Sequence, residues 1–193
     1  MSILSALRRG GLRSPDSIRH NGRRLSEILQ RHAEFVRGER GGVRADLAGA
    51  DLSRANLGRA NLAYADLRGA RLECANLREA KLSSAELGEA FLRGADLRKA
   101  DLTEAHLASA DLTEAQVGGA ELFRADLQQA ILRRADFGAT NFRDALLNGA
   151  DFEGASLKTA ILRETKLDGA DLSRADISQA LLPQGYSRPA GKP

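Results

Sequence analysis

ADLAGADLSRANLGRANLAYADLRG, residues 45–69, is five copies of one five-residue unit, and the unit continues in unbroken register to Gln184. The 28 units contain neither an insertion nor a deletion. Each reads Ala, usually Asp or Asn, Leu, then two variable residues. A helix needs apolar residues three and four apart, and a strand needs them two apart. A period of five sustained this long suits neither as a continuous element. Within one unit, however, Ala and Leu are two apart, the spacing that turns both side chains to one side of an extended backbone. The two variable residues then carry the chain round a corner, so each unit is one short side of a coil.

The central position is Leu except at Val117, Phe137, Phe142, Phe152 and Ile177. The position two before it is Ala except at Thr140 and Thr165. Both face inward. The central side chains fill the interior, and alanine keeps the wall thin where a larger side chain would overfill it.

This repeat resembles the pentapeptide-repeat family throughout 45–184. The resemblance implies an all-β solenoid, a right-handed four-sided parallel β-helix. Four units per coil give about seven coils, which at ~4.8 Å each make a rod of roughly 34 Å. The charged column before the central Leu, as in Asp46 and Asp66, then bonds to local backbone rather than to a metal.

A solenoid exposes its core at both ends and needs caps. Leu25, Ile28, Leu29, His32, Phe35 and Val36 fall at helical spacing. They predict an amphipathic helix over 23–37, with Asn21 as N-cap, Gly38 as stop and 38–44 as a link. The division is a flexible basic terminus over 1–22, a capping helix and link over 23–44, the repeats over 45–184 and a tail over 185–193. His32, Phe35, Gly41, Gly42 and Arg44 before Ala45-Asp46-Leu47 are similar to the start of many bacterial pentapeptide-repeat proteins. His32 lies on the apolar stripe and reads as a packed structural residue. At the far end, Ile161 and Leu181 stand one coil apart where Asp or Asn is usual. They are the candidate contact of a homodimer, which resembles the end-to-end pairing of some family members.

Nothing in the sequence points to catalysis. His20, His32 and His106 are far apart, and no HExxH, CxxC or GxSxG occurs. The expectation is a protein that is not an enzyme and has no cofactor and no metal. The single cysteine, Cys74, occupies a corner and suits a reducing compartment. No apolar run approaches the roughly 18 residues of a membrane span. The N-terminus has no signal-peptide pattern, so a bacterial cytoplasmic location is expected, extending to the periphery of a membrane complex.

Charge separates the segments: +6 over 1–44, −5 over the repeats and +2 over the tail. Arg23, Arg24, Arg31, Arg37, Arg40 and Arg44 are accompanied by few aromatics, which argues against base stacking and sequence-specific nucleic-acid binding. They suit docking to acidic protein or phospholipid. Among the four walls, only the one starting at Ala45 is clearly acidic, with Asp46, Asp66, Glu86, Glu89, Asp126 and Asp168 and a net charge of −4. On the wall starting at Ala50, Phe91 and Ile131 stand at outward positions beside Arg93, Arg133 and Arg134. Aromatic and aliphatic side chains beside arginines suit a protein interface. Two readings stand at this level. One is a non-catalytic scaffold for a protein partner or larger assembly, as far as a passive structural subunit. The other is a DNA mimic that binds DNA gyrase or topoisomerase IV, which the resemblance implies for quinolone-resistance members of the family.

Overall fold

A computed structural model describes residues 11–186. The repeats form a right-handed four-sided parallel β-helix. Residues twenty apart pair in parallel, from Asp46 with Asp66 to Ile161 with Leu181. On each side the ladder repeats one pattern. Asp66 N–H donates to the Ala45 carbonyl at 2.9 Å, Leu47 N–H to Asp66 at 2.8 Å, and Gly49 N–H to Arg68 at 2.9 Å. The corner closes between successive units, with Ala50 N–H donating to the Leu47 carbonyl at 3.0 Å. The last corner residue is left-handed. From Gly49 to Gly169, every residue at that place has φ between 52° and 73°, the mark of a type II turn.

Two donors of each unit go to the next coil, one goes to the preceding coil and one closes the corner. The fifth, on the first corner residue, explains why the unit prefers Asp or Asn. Asp51 Oδ1 accepts from Ser53 N–H, Asn76 Oδ1 from Arg78 N–H and Asp111 Oδ1 from Thr113 N–H, and other units repeat the contact at 2.9–3.3 Å. The consensus carboxylates are hydrogen-bond acceptors for the corner backbone.

Alanines and central residues make one continuous core from Leu47 to Leu172. Variations in it are matched in volume and in polarity. Val117 lies one coil below Phe137, where a small residue gives room to a large one. Phe137 meets Phe142 and Phe152 at ring-centroid distances of 5.2 and 6.2 Å. The two threonines in the alanine columns keep their buried hydroxyls bonded, Thr140 to the Val117 carbonyl at 3.0 Å and Thr165 to the Phe142 carbonyl at 2.9 Å.

The N-terminal cap differs from the sequence expectation in two respects. The helix, α1, is Leu25–Val36 rather than 23–37. Asn21 is not its N-cap. With Gly22 it makes the turn (φ 48° and 78°) of a hairpin between β1, Arg19–His20, and β2, Arg23–Arg24. Asn-Gly is the favoured pair for a two-residue turn whose central residues both have positive φ. The basic segment expected to be loose as far as residue 22 is built onto the rod from Arg13 onward. Arg13 N–H donates to the Arg54 carbonyl at 2.7 Å and its own carbonyl accepts from Asn56 at 2.8 Å, so one extended residue extends the third wall backwards by a rung. Ile18 is buried with Leu25 against the first coil. The reason is the open core: the first coil needs apolar cover and ladder partners, and this segment supplies both. The part of that expectation covering residues 1–10, and the tail beyond 186, lie outside the described residues.

His32 joins the cap to the rod. Its Nδ1 accepts from Ala45 N–H at 3.0 Å, a buried bond at the first residue of the repeats. A nitrogen that accepts is unprotonated, so the ring is neutral, and burial lowers its pKa, helped by the nearby Arg44 charge and opposed by the Ala63 carbonyl. Beside it, Gly42 packs so closely on α1 that a Cβ would lie 2.2 Å from the Phe35 nitrogen. This close approach accounts for glycine at that place in the link.

Two outcomes follow from this packing. Leu107 is fully buried in mid-rod. Leu107→Ala should cost about 2–5 kcal/mol in chemical denaturation, and Leu107→Asp should abolish the folded rod by circular dichroism. For His32, the unfolded chain takes up a proton more readily than the folded one, so stability is complete above the ordinary histidine pKa of about 6.5 and falls as pH drops below it. Thermal melts between pH 8 and 5 should show that loss, and His32→Gln should flatten it. A wild-type profile as flat as the variant's would remove the clamp.

Candidate functional surfaces

The second position of each unit faces outward and stacks directly on its counterpart in the next coil, so each wall displays a column of chosen side chains. On the wall starting at Ala50 the column runs Asp51, Arg71, Phe91, Asp111, Ile131, Asp151, Asp171. Phe91 is 45% exposed and Ile131 39% exposed. Asp111 stands between them, so the sequence-predicted pair is one strip interrupted by a carboxylate. The flanking arginines are not free. Arg93 lies 3.6 Å from Asp111, Arg133 lies 2.6 Å from Asp151 and 3.7 Å from Glu153, and Arg134 lies 3.8 Å from Glu114. The hydrogen bond to Asp151 raises the pKa of Arg133. Surface pairs of this kind contribute little stability, about 0–1 kcal/mol, but they cancel local charge. The strip is therefore apolar with paired charges at its border, rather than basic.

Phe91 and Ile131 also displace the residue type that bonds the corner. With no carboxylate or amide before them, the Arg93 and Arg133 amides lack the acceptor that Asp111 gives to Thr113.

On the acidic wall the column runs Asp46, Asp66, Glu86, His106, Asp126, Leu146, Lys166. Glu89 and Asp168 sit on corner positions of the same wall. Asp66 is tied to Arg68 at 2.5 Å, and that side-chain hydrogen bond holds its carboxyl below the usual range. Asp168 accepts from Asn148 at 3.0 Å. The six acids share a wall without making a continuous stripe, because His106, Leu146 and Lys166 interrupt it.

Ile161 and Leu181 pair in the ladder of the wall starting at Ala60, and Leu181 is 44% exposed. At that end the core thins: Leu167, Ile177 and Leu182 are only half-buried by described residues. Pro183 follows Leu182 and has no N–H, so this corner has no need of the carboxylate that Leu181 replaces.

His20, His32 and His106 are dispersed over the hairpin, α1 and the acidic wall, and Cys74 is a half-buried corner residue with φ 55°. Among the described residues, no three His, Cys, Asp or Glu side chains converge on a metal-sized centre, and no helix is long and apolar enough to cross a membrane. One concave feature was not apparent in the sequence. A cleft of about 250 Å³ opens between the hairpin, α1, the link and the first acid of the repeats. Its residues come from four segments, and only the Asn21-Gly22 turn signal hinted at the fold-back that assembles them.

The family model described as pentapeptide repeats matches residues 43–73, 75–113, 100–138, 120–158 and 140–179, with eight copies. The chain belongs to the pentapeptide-repeat family. Among solved structures of this family, HetL, involved in heterocyst differentiation regulation in Nostoc sp. strain PCC 7120, is 27% identical. The match covers 83% of this chain and 98% of HetL with a TM-score of 0.38. A pentapeptide repeat protein from the Arabidopsis thaliana thylakoid lumen is 27% identical over 47% of this chain and 63% of its own, with a TM-score of 0.37. QnrB1, a plasmid-mediated fluoroquinolone resistance protein, is 17% identical over 73% of this chain and 80% of its own, with a TM-score of 0.36. At these scores no surface feature transfers from one rod to another. No curated protein matches the chain.

Proposed function

We propose that this pentapeptide-repeat protein is a non-catalytic scaffold whose rigid rod presents the Phe91–Ile131 strip to a protein partner. The observation that carries this reading is the strip itself. Two large apolar side chains stand outward beside arginines that are already paired, and they replace residues that would have bonded the corner backbone. Such a surface gains from burial against another protein, and the Arg93 and Arg133 amides are donors that a partner's carbonyls fit. The single cysteine agrees with a bacterial cytoplasmic setting, and the basic cap is suited to docking on a larger or membrane-associated assembly.

The acidic wall motivates a second reading, a DNA mimic directed at gyrase or topoisomerase IV. Charge density weighs against it. A duplex of roughly 34 Å carries about 20 negative charges, whereas the whole repeat rod carries a net −5. The exposed Leu181 and the half-buried core behind it motivate a homodimer through the C-terminal end.

Phe91→Asn with Ile131→Asn is the informative double variant, because Asn restores an acceptor for the corner amides. Its melting temperature should equal or exceed that of the wild type, while affinity purification from the source cell should recover several-fold less of the stoichiometric partner. Equal recovery would exclude the strip. Strong inhibition of supercoiling by the purified protein would favour gyrase instead. For the C-terminal end, sedimentation at high micromolar concentration should give a dimer that Leu181→Asp converts to monomer, and a monomeric wild type would remove the contact.

A further inference from the structure

The cap carries a charge arrangement that the walls do not. Arg23 comes from the hairpin, Arg31 from α1 and Arg44 from the link, and all three line the 250 Å³ cleft. On the walls, most arginines lie against carboxylates of their own or the neighbouring coil. In the cleft, none of the three guanidiniums is within 4 Å of a described carboxylate. Asp46 is the one acid lining it, and its Oδ1 is engaged by the Ala48 N–H at 3.3 Å. Three cations against one acid leave an excess of about two positive charges facing one small volume.

Two of the three arginines are also held in place. Arg31 donates to the Gly41 carbonyl at 3.3 Å, and Arg44 donates through Nε to the Tyr64 carbonyl. Each bond fixes a long side chain while leaving most of its five N–H donors unused. Grouping more cations than acids around one cleft costs free energy through mutual repulsion, and a bound anion lowers that cost. Two apolar side chains also line the cleft, Ile28 half-buried and Val43 exposed.

We propose that the cap cleft binds the phosphate group of a small phosphomonoester, with Arg23, Arg31 and Arg44 as its ligands and Ile28 and Val43 against the organic part. The charge selects this class. A phosphomonoester carries about −1.5 to −2 at pH 7, which matches the excess, whereas a carboxylate neutralises only half of it. The guanidinium fork suits phosphate oxygens geometrically. The volume lies just below the ~300–1,000 Å³ of drug-sized pockets, so it admits a small molecule and not a folded segment. This site is independent of the Phe91–Ile131 strip and stands or falls separately from it.

The test uses the whole chain, with inorganic phosphate and phenyl phosphate as probes at constant ionic strength. Titration followed by amide shifts should be saturable and centred on Val43, Arg44 and Asp46. Arg23→Gln with Arg31→Gln should weaken affinity roughly tenfold or more. Arg23→Gln alone should weaken it less; its side chain makes no hydrogen bond to a described residue, so the fold does not depend on it. Acetate at the same ionic strength should produce no saturable shift. Equal shifts with acetate, undiminished binding in the single and double variants, or no saturable binding of either phosphate would overturn the site.

Discussion

A leucine every fifth residue can be buried on all four sides of a coil only if the chain turns sharply after each one. That corner needs a residue near φ +60°, and this protein mostly fills the place with Arg, Glu, Ser, Gln or Lys rather than Gly. A left-handed conformation costs an ordinary residue roughly 1–2 kcal/mol, and the cost recurs in most units. One buried leucine gains about 1.5–3 kcal/mol, so each unit is only modestly favourable before its backbone entropy is counted. The balance must come from stacking. The ladder bonds belong to pairs of coils, and a coil by itself makes only the corner bonds. The rod is therefore cooperative along its axis, and its ends are its weakest parts.

The ends explain the cap. The first coil has a ladder face with no preceding coil and a core with no cover. Arg13 supplies one rung, Ile18 and Leu25 cover the core, and His32 bonds the Ala45 amide. These contacts come from four places in a short segment, of which only Leu25 and His32 fall on the periodic stripe of α1. The same fold-back that covers the core draws Arg23, Arg31 and Arg44 together.

The solenoid was legible because every unit repeats the same constraint, so the inward Ala and Leu positions could be assigned one by one. The cap was legible only where it is periodic, in the apolar stripe of α1. Asn21 misled because Asn caps helices and also accepts positive φ in tight turns, and the Gly22 that follows decides for the turn. Arg13 gave no signal, since a single extended residue has no pattern. For the surfaces, the sequence located Phe91, Ile131 and Leu181 as departures from the unit. It did not show that Asp111 divides the strip, or that Arg93, Arg133 and Arg134 are spent on neighbouring acids, because both depend on which side chains stack twenty residues apart.

The corner hydrogen bond gives the departures their meaning. Where Asp or Asn precedes the central residue, folding alone explains it, since the carboxylate or amide accepts a backbone N–H that would otherwise rely on water. A column of such residues is weak evidence of function, however acidic it looks. The reverse holds for Phe91 and Ile131. Each gives up that bond and exposes apolar surface, so neither local bonding nor core packing accounts for it. Leu181 differs again, because Pro183 removes the donor and the apolar residue sacrifices nothing. On this reasoning the walls of the rod divide into residues that build it and residues that it displays, and the Phe91–Ile131 strip belongs to the second group more clearly than the acidic wall does.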